Sequence, residues 1–424
     1  MLRTLKIILL TLLGLAIIIV VLGFDLAPAV QASSGEQVEK ADSVNRLLSQ
    51  VRKVSTDRQS EHSVVVTLEQ AQSLAGFFQR AHKPASADLH FKEDEAILKL
   101  TYLLASWPLD IYANIEVSLA SAQRVHLNYI KLGDISIPGN LGLYLSEIVA
   151  NAYTNSDVAT RAIDWVQAIE IEAQQVTLLL NPAETLFQSL KTIDTGQISA
   201  QERELLNQIS YYINFLSRLP GDEQRATPNP SLAYFLNEIM KEALRRDTLR
   251  PEVENEAALL ALAVYTGNYR FARLIGDINI PITNMPTAPK APTLAGRKDL
   301  SLHFVYSAAI KLLSEQGFSI AVGEFKELMD RGEGGSGYSF TDLAADLAGA
   351  HFAKLAVDPE HAQNIQTLIA HSDDEFLFFP SLEQLDEGLD AQAFANKYQA
   401  VDSPAYQQAV DLINQRLQAL PVSQ

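Results

Sequence analysis

Between residues 87 and 129 apolar side chains recur at every second position, whereas through most of the remaining chain they recur at every third and fourth. That change of period limits the fold more than any other feature. A strand turns successive side chains to opposite faces, and a helix returns to the same face after about 3.6 residues. Residues 87–91 and 96–104 read as paired strands around the turn Lys92-Glu93-Asp94. Ile111, Ala113, Ile115, Val117 and Leu119 alternate with more polar residues, the pattern of a half-buried antiparallel strand. Val125, Leu127 and Tyr129 continue it. Helices are expected over 67–81 and 143–152, and a last strand over 169–180. The spacing therefore predicts an α+β antiparallel-meander domain over 60–190, followed by a larger, mainly α-helical domain.

The helical part divides further. Residues 195–280 carry helical patterns, with Leu205, Ile209, Tyr212, Ile213 and Leu216 on one face of the first. Residues 281–297 contain four prolines and read as a linker or wrapping loop. Three short helices are expected over 298–357, and C-terminal helices over 358–424 pack back on them. Glu252, Glu254 and Asn255 open the helix that starts near residue 252, where acidic side chains favour the helix dipole; reach from Glu254 or Asn255 to His303 is the competing expectation.

At the other end, residues 7–24 are apolar or small except for Thr11, and these eighteen residues would rise roughly 27 Å as a helix, close to the bilayer core. Arg3 and Lys6 precede the run and Asp25, Glu36 and Glu39 follow it. By charge asymmetry, residues 1–32 are expected to be a single-pass inner-membrane anchor with the N-terminus cytoplasmic and the body periplasmic. The alternative is a signal peptide cleaved after Val30-Gln31-Ala32, leaving a soluble periplasmic body. Residues 33–59 read as a polar linker or stalk with one short apolar helix pattern around Val44, Leu47, Leu48 and Val51. With 51 acidic and 33 basic residues the net charge is −18, which opposes binding to nucleic acid. The chain has no cysteine, so disulfides, thiolate metal sites, thiol catalysis and lipid acylation at Cys are excluded.

Chemically useful residues concentrate in 298–357. Asp299 is placed to cap a helix in which His303 and Ser307, four apart, share a face. Glu327 and Asp330 share a face of the next helix, with Lys326 beside them. Ser339-Phe340-Thr341-Asp342 resembles a capping box and opens the third helix. Along it Asp342, Ala345, Asp346, Gly349 and Ala353 form a stripe whose small residues admit a close neighbour. Two carboxylates on such a stripe need partners if buried. Three arrangements satisfy them. One is a structural network with His303 and nearby cations. Another is a divalent metal held by His303, Asp342 and Asp346. The third is acid–base catalysis by His303, Glu327 and Asp346, with Ser307, Lys326, Asp330, Ser339, Asp342 and Gly349 binding around them.

The order of residues Asp299, His303, Phe304 and Ser307, then Lys326, Glu327 and Asp330, then Ser336, Gly337, Ser339, Asp342, Asp346 and Gly349 resembles the YfiM-like envelope proteins. It is more distantly similar to the VanZ-like membrane families, whose helices are membrane-embedded, whereas these are too short and polar to span. The resemblance covers residues 298–357 and implies an envelope setting and a candidate site, without an activity. Two functions follow as expectations. The first is a membrane-anchored envelope protein with a binding or structural role, whose partner is an envelope protein or a lipid. The second is a hydrolase, metal-dependent or not, acting in the envelope through its His/Asp/Glu site.

Overall fold

The computed structural model describes residues 22–31, 41–191, 200–219, 230–246, 249–275, 278–313 and 336–424. The protein is mixed α+β, as the change of period predicts, and divides into two compact units, Met1–Gln197 and Ile198–Gln424.

In the first unit, α1 (Val44–Thr56) leads to β1 (His62–Thr67) and α2 (Leu68–Ala81). A meander follows: β2 (Ala85–Lys92), β3 (Glu95–Ala105), β4 (Ile111–Ala120), β5 (Leu127–Leu132) and β6 (Ile135–Pro138). Then come α3 (Gly139–Thr154), α4 (Val158–Trp165), β7 (Val166–Ile171), β8 (Gln175–Leu180) and α5 (Glu184–Lys191). The meander pairs in sequence order as a five-stranded antiparallel sheet. Its register sets Leu89, Leu98, Val117, Ile130 and Ile137 side by side on one face. The next row on the opposite face holds Lys99, Glu116 and Lys131. One face is thus apolar and the other carries a ladder of charges, as a half-solvated sheet requires. The Tyr129 hydroxyl donates to Glu116 at 2.7 Å, and this bond, joined by the two lysines and opposed by burial, holds the Glu116 carboxyl below its usual range.

The strand expected over 169–180 is a hairpin instead. Beta-7 and β8 turn at residues 172–174, and with β1 they form a second antiparallel sheet in the order β1-β8-β7. The expected linker over 33–59 is also corrected. Within it α1 packs Leu47 and Val54 against Val64 and Leu180. The helical spacing of Val44 and Leu47 is legible in the sequence, and the structure makes it a core face instead of part of a linker. Alpha-1 also closes the edge of β1. The Gln50 amide donates to the Val65 carbonyl at 3.1 Å and accepts from the Val65 N–H at 2.8 Å, standing in for a neighbouring strand.

The expected membrane-spanning anchor, and with it the signal-anchor and single-pass inner-membrane placement, is corrected here. Among the described residues no helix is long and apolar enough to cross a membrane. The end of the apolar run is tied into the first unit: Asp134 N–H donates to the Leu22 carbonyl at 2.7 Å, and Asp25 exchanges both backbone bonds with Tyr112. Residues 1–21, which hold most of the run, lie outside the described residues.

The second unit is helical: α6 (Ala200–Leu216), α7 (Leu232–Arg246), α8 (Pro251–Leu262), α9 (Lys298–Leu313), α10 (Phe340–Ala356), α11 (Ala362–His371), α12 (Ala391–Tyr398) and α13 (Pro404–Gln418). Alpha-10 is the axis. Every residue from Phe340 to Ala350 is buried, so these first three turns have no solvent face to mark with polar residues. Tyr338 and Phe340 at its start stack with Phe394, Tyr398 and Tyr406 from α12 and α13. Residues 281–297 wrap this body. Leu294 is buried, Leu232 N–H donates to the Thr293 carbonyl and Ala288 N–H to the Tyr265 carbonyl.

Candidate functional site

Alpha-9 and α10 pack unusually close, and the reason is Gly349. A Cβ at that position would lie 2.9 Å from the Phe304 carbonyl carbon and 3.0 Å from its Cα, with the carbonyl oxygen closer still. Those are backbone atoms and cannot rotate away, so only glycine permits the approach. The small-residue stripe is thereby confirmed as a helix contact, with Ala345 and Ala353 buried beside Gly349.

Along this contact the polar residues find one another. Ser307 donates to Asp346 Oδ1 at 2.6 Å, and His303 Nδ1 lies 3.1 Å from Asp346 Oδ2. On the opposite side of the ring, His303 Nε2 lies 3.5 Å from Asp342 Oδ2. Asp342 Oδ1 in turn accepts from Arg297 at 3.1 Å. Arg297 also binds the Asp299 carboxylate, the Thr341 hydroxyl at 3.2 Å and Glu387 at 2.7 Å. Its hydrogen bond to Asp299 is the main reason the guanidinium pKa is raised, and the same bond holds the Asp299 carboxyl below the usual range. A chain of charge-assisted bonds thus runs from the half-buried Arg297 to the buried Ser307.

The imidazole sits between the two carboxylates, one on each nitrogen, so His303, Asp342 and Asp346 do not converge on one point where an ion would sit. Among the described residues no three His, Asp or Glu side chains are grouped to hold a metal. The Ser307 hydroxyl is directed at Asp346.

Ser339 caps α10 as expected, accepting from Asp342 N–H at 3.1 Å, and also meets the Thr341 hydroxyl at 2.9 Å. Asp299 lies inside the first turn of α9 instead of preceding it, because Lys298 already belongs to the helix. Lys326, Glu327 and Asp330 lie outside the described residues, as does most of the glycine-rich turn.

A second buried network escaped sequence reasoning. Glu254 and Asn255 have no exposed surface, and neither meets His303 through these bonds. Glu254 takes the Tyr212 hydroxyl at 2.7 Å and the Arg246 guanidinium. Asn255 donates to the Ala356 and Ala362 carbonyls at 2.7 and 3.1 Å, and accepts from Gln366 at 2.9 Å. It thereby ties α8 to the end of α10 and the start of α11. The signal was hidden, because Glu252, Glu254 and Glu256 around Asn255 read as a solvated acidic first turn. His351 is half-buried against the Ser423 hydroxyl at 2.7 Å.

No protein-family model, no curated protein and no solved structure matches this chain.

Proposed function

We propose that this protein is a non-enzymatic binding protein, in which the network around Asp346 fastens the helical unit instead of acting on a substrate. The observation that carries this reading is the state of Asp346. Its carboxylate is buried, one oxygen accepts from Ser307, and the other faces His303, whose second nitrogen is taken up by Asp342. A general base or acid must present a group to a reacting atom, and these groups present theirs to each other. The surface left for binding is on the first unit, whose meander keeps an apolar sheet face half-exposed.

Asp346→Asn tests the reading, since it keeps shape and removes charge. Breaking one partner of a buried ion pair costs about 3–5 kcal/mol, so the thermal midpoint should fall by roughly 6–20 °C for a unit of this size. The intact protein should show no turnover above background on carboxylate- and phosphate-ester panels. Turnover by the parent that disappears in an Asp346→Asn protein of unchanged melting temperature would refute the proposal and establish the hydrolase instead.

A further inference from the structure

One end of the first unit gathers exposed apolar side chains from three separate parts of the chain. Beta-3 and β4 close their hairpin there through the Ala105–Ile111 pair, and β5 and β6 close theirs at the same end through Leu132 and Ile135. The β3–β4 tip presents Leu104, Trp107 and Leu109, with Trp107 87% and Leu109 61% exposed. Leu26, 69% exposed, stands beside that tip because Asp25 pairs with Tyr112. Alpha-3 supplies the third part. Gly139 sits against the Leu127 carbonyl and Gly142 against Ile130, so the helix climbs along β5 toward this end. Its later turns carry Val149 and Tyr153, 66% and 88% exposed.

We propose that this end of the first unit docks on a lipid surface. Exposed leucines ringed by Trp and Tyr match the composition of a bilayer's interfacial zone, where amphipathic rings sit at headgroup level. A large exposed apolar patch on a folded unit marks an interaction site. The occupant is indicated by the chain itself. The uninterrupted apolar run of residues 7–24 joins the described structure at Leu22, beside the β5–β6 turn of this same end. The docking asks no segment to cross a bilayer. Charge narrows the lipid class. Asp25, Asp110, Asp134 and Glu147 lie at this end, where Lys83 is brought in by the Leu103 N–H bond to the Pro84 carbonyl, and residues 104–112, 132–136 and 145–154 contain no Lys or Arg, so acidic side chains outnumber basic ones. The contact therefore rests on apolar burial and favours zwitterionic headgroups over anionic ones, with little dependence on salt.

This inference rests on the binding-protein reading, but its test is independent of the Asp346 network. Trp165→Phe makes Trp107 the single tryptophan; Trp165 Nε1 has no hydrogen-bond partner to lose. The full-length protein is mixed with phosphatidylcholine vesicles, plain or brominated in the acyl chains. Trp107 emission should shift to the blue and be quenched by the brominated lipid. The Leu109→Ser substitution should weaken partitioning by about tenfold or more, from the loss of one buried side chain. Vesicle binding without quenching of Trp107 would overturn the proposal, since another segment would then be responsible. An absence of vesicle binding would overturn it as well. A blue shift that grows with protein concentration in the absence of lipid would overturn it in favour of a second copy of the chain. Tighter binding to anionic than to zwitterionic vesicles would overturn the headgroup assignment.

Discussion

Gly349→Ala should be among the most damaging single-methyl changes in this protein. The new Cβ would stand 2.9 and 3.0 Å from two backbone carbons of Phe304, and nearer still to the carbonyl oxygen. Ordinary carbon–carbon contact is about 3.5–4.0 Å, so α9 and α10 must part by about 1 Å. Overpacking of this kind costs about 1–3 kcal/mol. The same displacement stretches the Ser307–Asp346 bond of 2.6 Å and the His303–Asp346 contact of 3.1 Å. Hydrogen bonds to charged groups contribute about 1.5–3 kcal/mol each. Alanine's better helix propensity returns about 1 kcal/mol. The net loss is about 3 kcal/mol, equivalent to a fall of roughly 6–12 °C in the melting temperature. Circular dichroism at 222 nm against temperature measures it. Gly142→Ala is the comparison: its new Cβ would meet only the Ile130 side chain, which can change rotamer, so its cost should be well under half as large. A Gly349→Ala protein melting at or above the parent temperature would refute the close-packing argument.

Other expectations follow from the second network and from pH. Arg246→Ala leaves Glu254, which has no exposed surface, with the Tyr212 hydroxyl but without its cation. The denaturant midpoint should drop by an amount equivalent to about 3–5 kcal/mol, and an unchanged midpoint would contradict the pairing. Burial, with Lys354 adding to it, lowers the His351 pKa. The unfolded chain takes up a proton below about pH 6.5 while the folded state resists it, so stability declines as pH falls below that value until the folded histidine titrates. His351→Gln should flatten the slope of stability against pH in this window; an identical slope would exclude His351 as its source.

The alternation over 87–129 sufficed for the meander because one face of the sheet meets solvent and advertises the strands. Where a surface was buried on all sides the sequence said less. Over residues 340–350 α10 is sealed around its whole circumference, so its start came from the Ser339 cap and not from amphipathicity. The β7–β8 hairpin read as one strand because its turn, Glu172-Ala173-Gln174, contains none of the usual Gly, Pro or Asn. At the candidate site, the small-residue stripe and the demand of its carboxylates for partners were legible. That His303 lies between Asp342 and Asp346 was not, because spacing places residues on one helix face and cannot give the rotation of a neighbouring helix.

By itself the sequence determined the mixed α+β class, the antiparallel meander, the helical second half and the residues of α9 and α10 that must meet polar partners. These follow from local periodicity, and periodicity is a property of the chain. Only the tertiary structure decided what those residues do together. The carboxylates' partners come from 39 and 43 positions away, and only the packing of α9 on α10 sets them around one imidazole. The apolar end of the first unit is likewise assembled from Leu26, the 104–109 turn and the close of α3, segments that only sheet register and helix direction bring to one place.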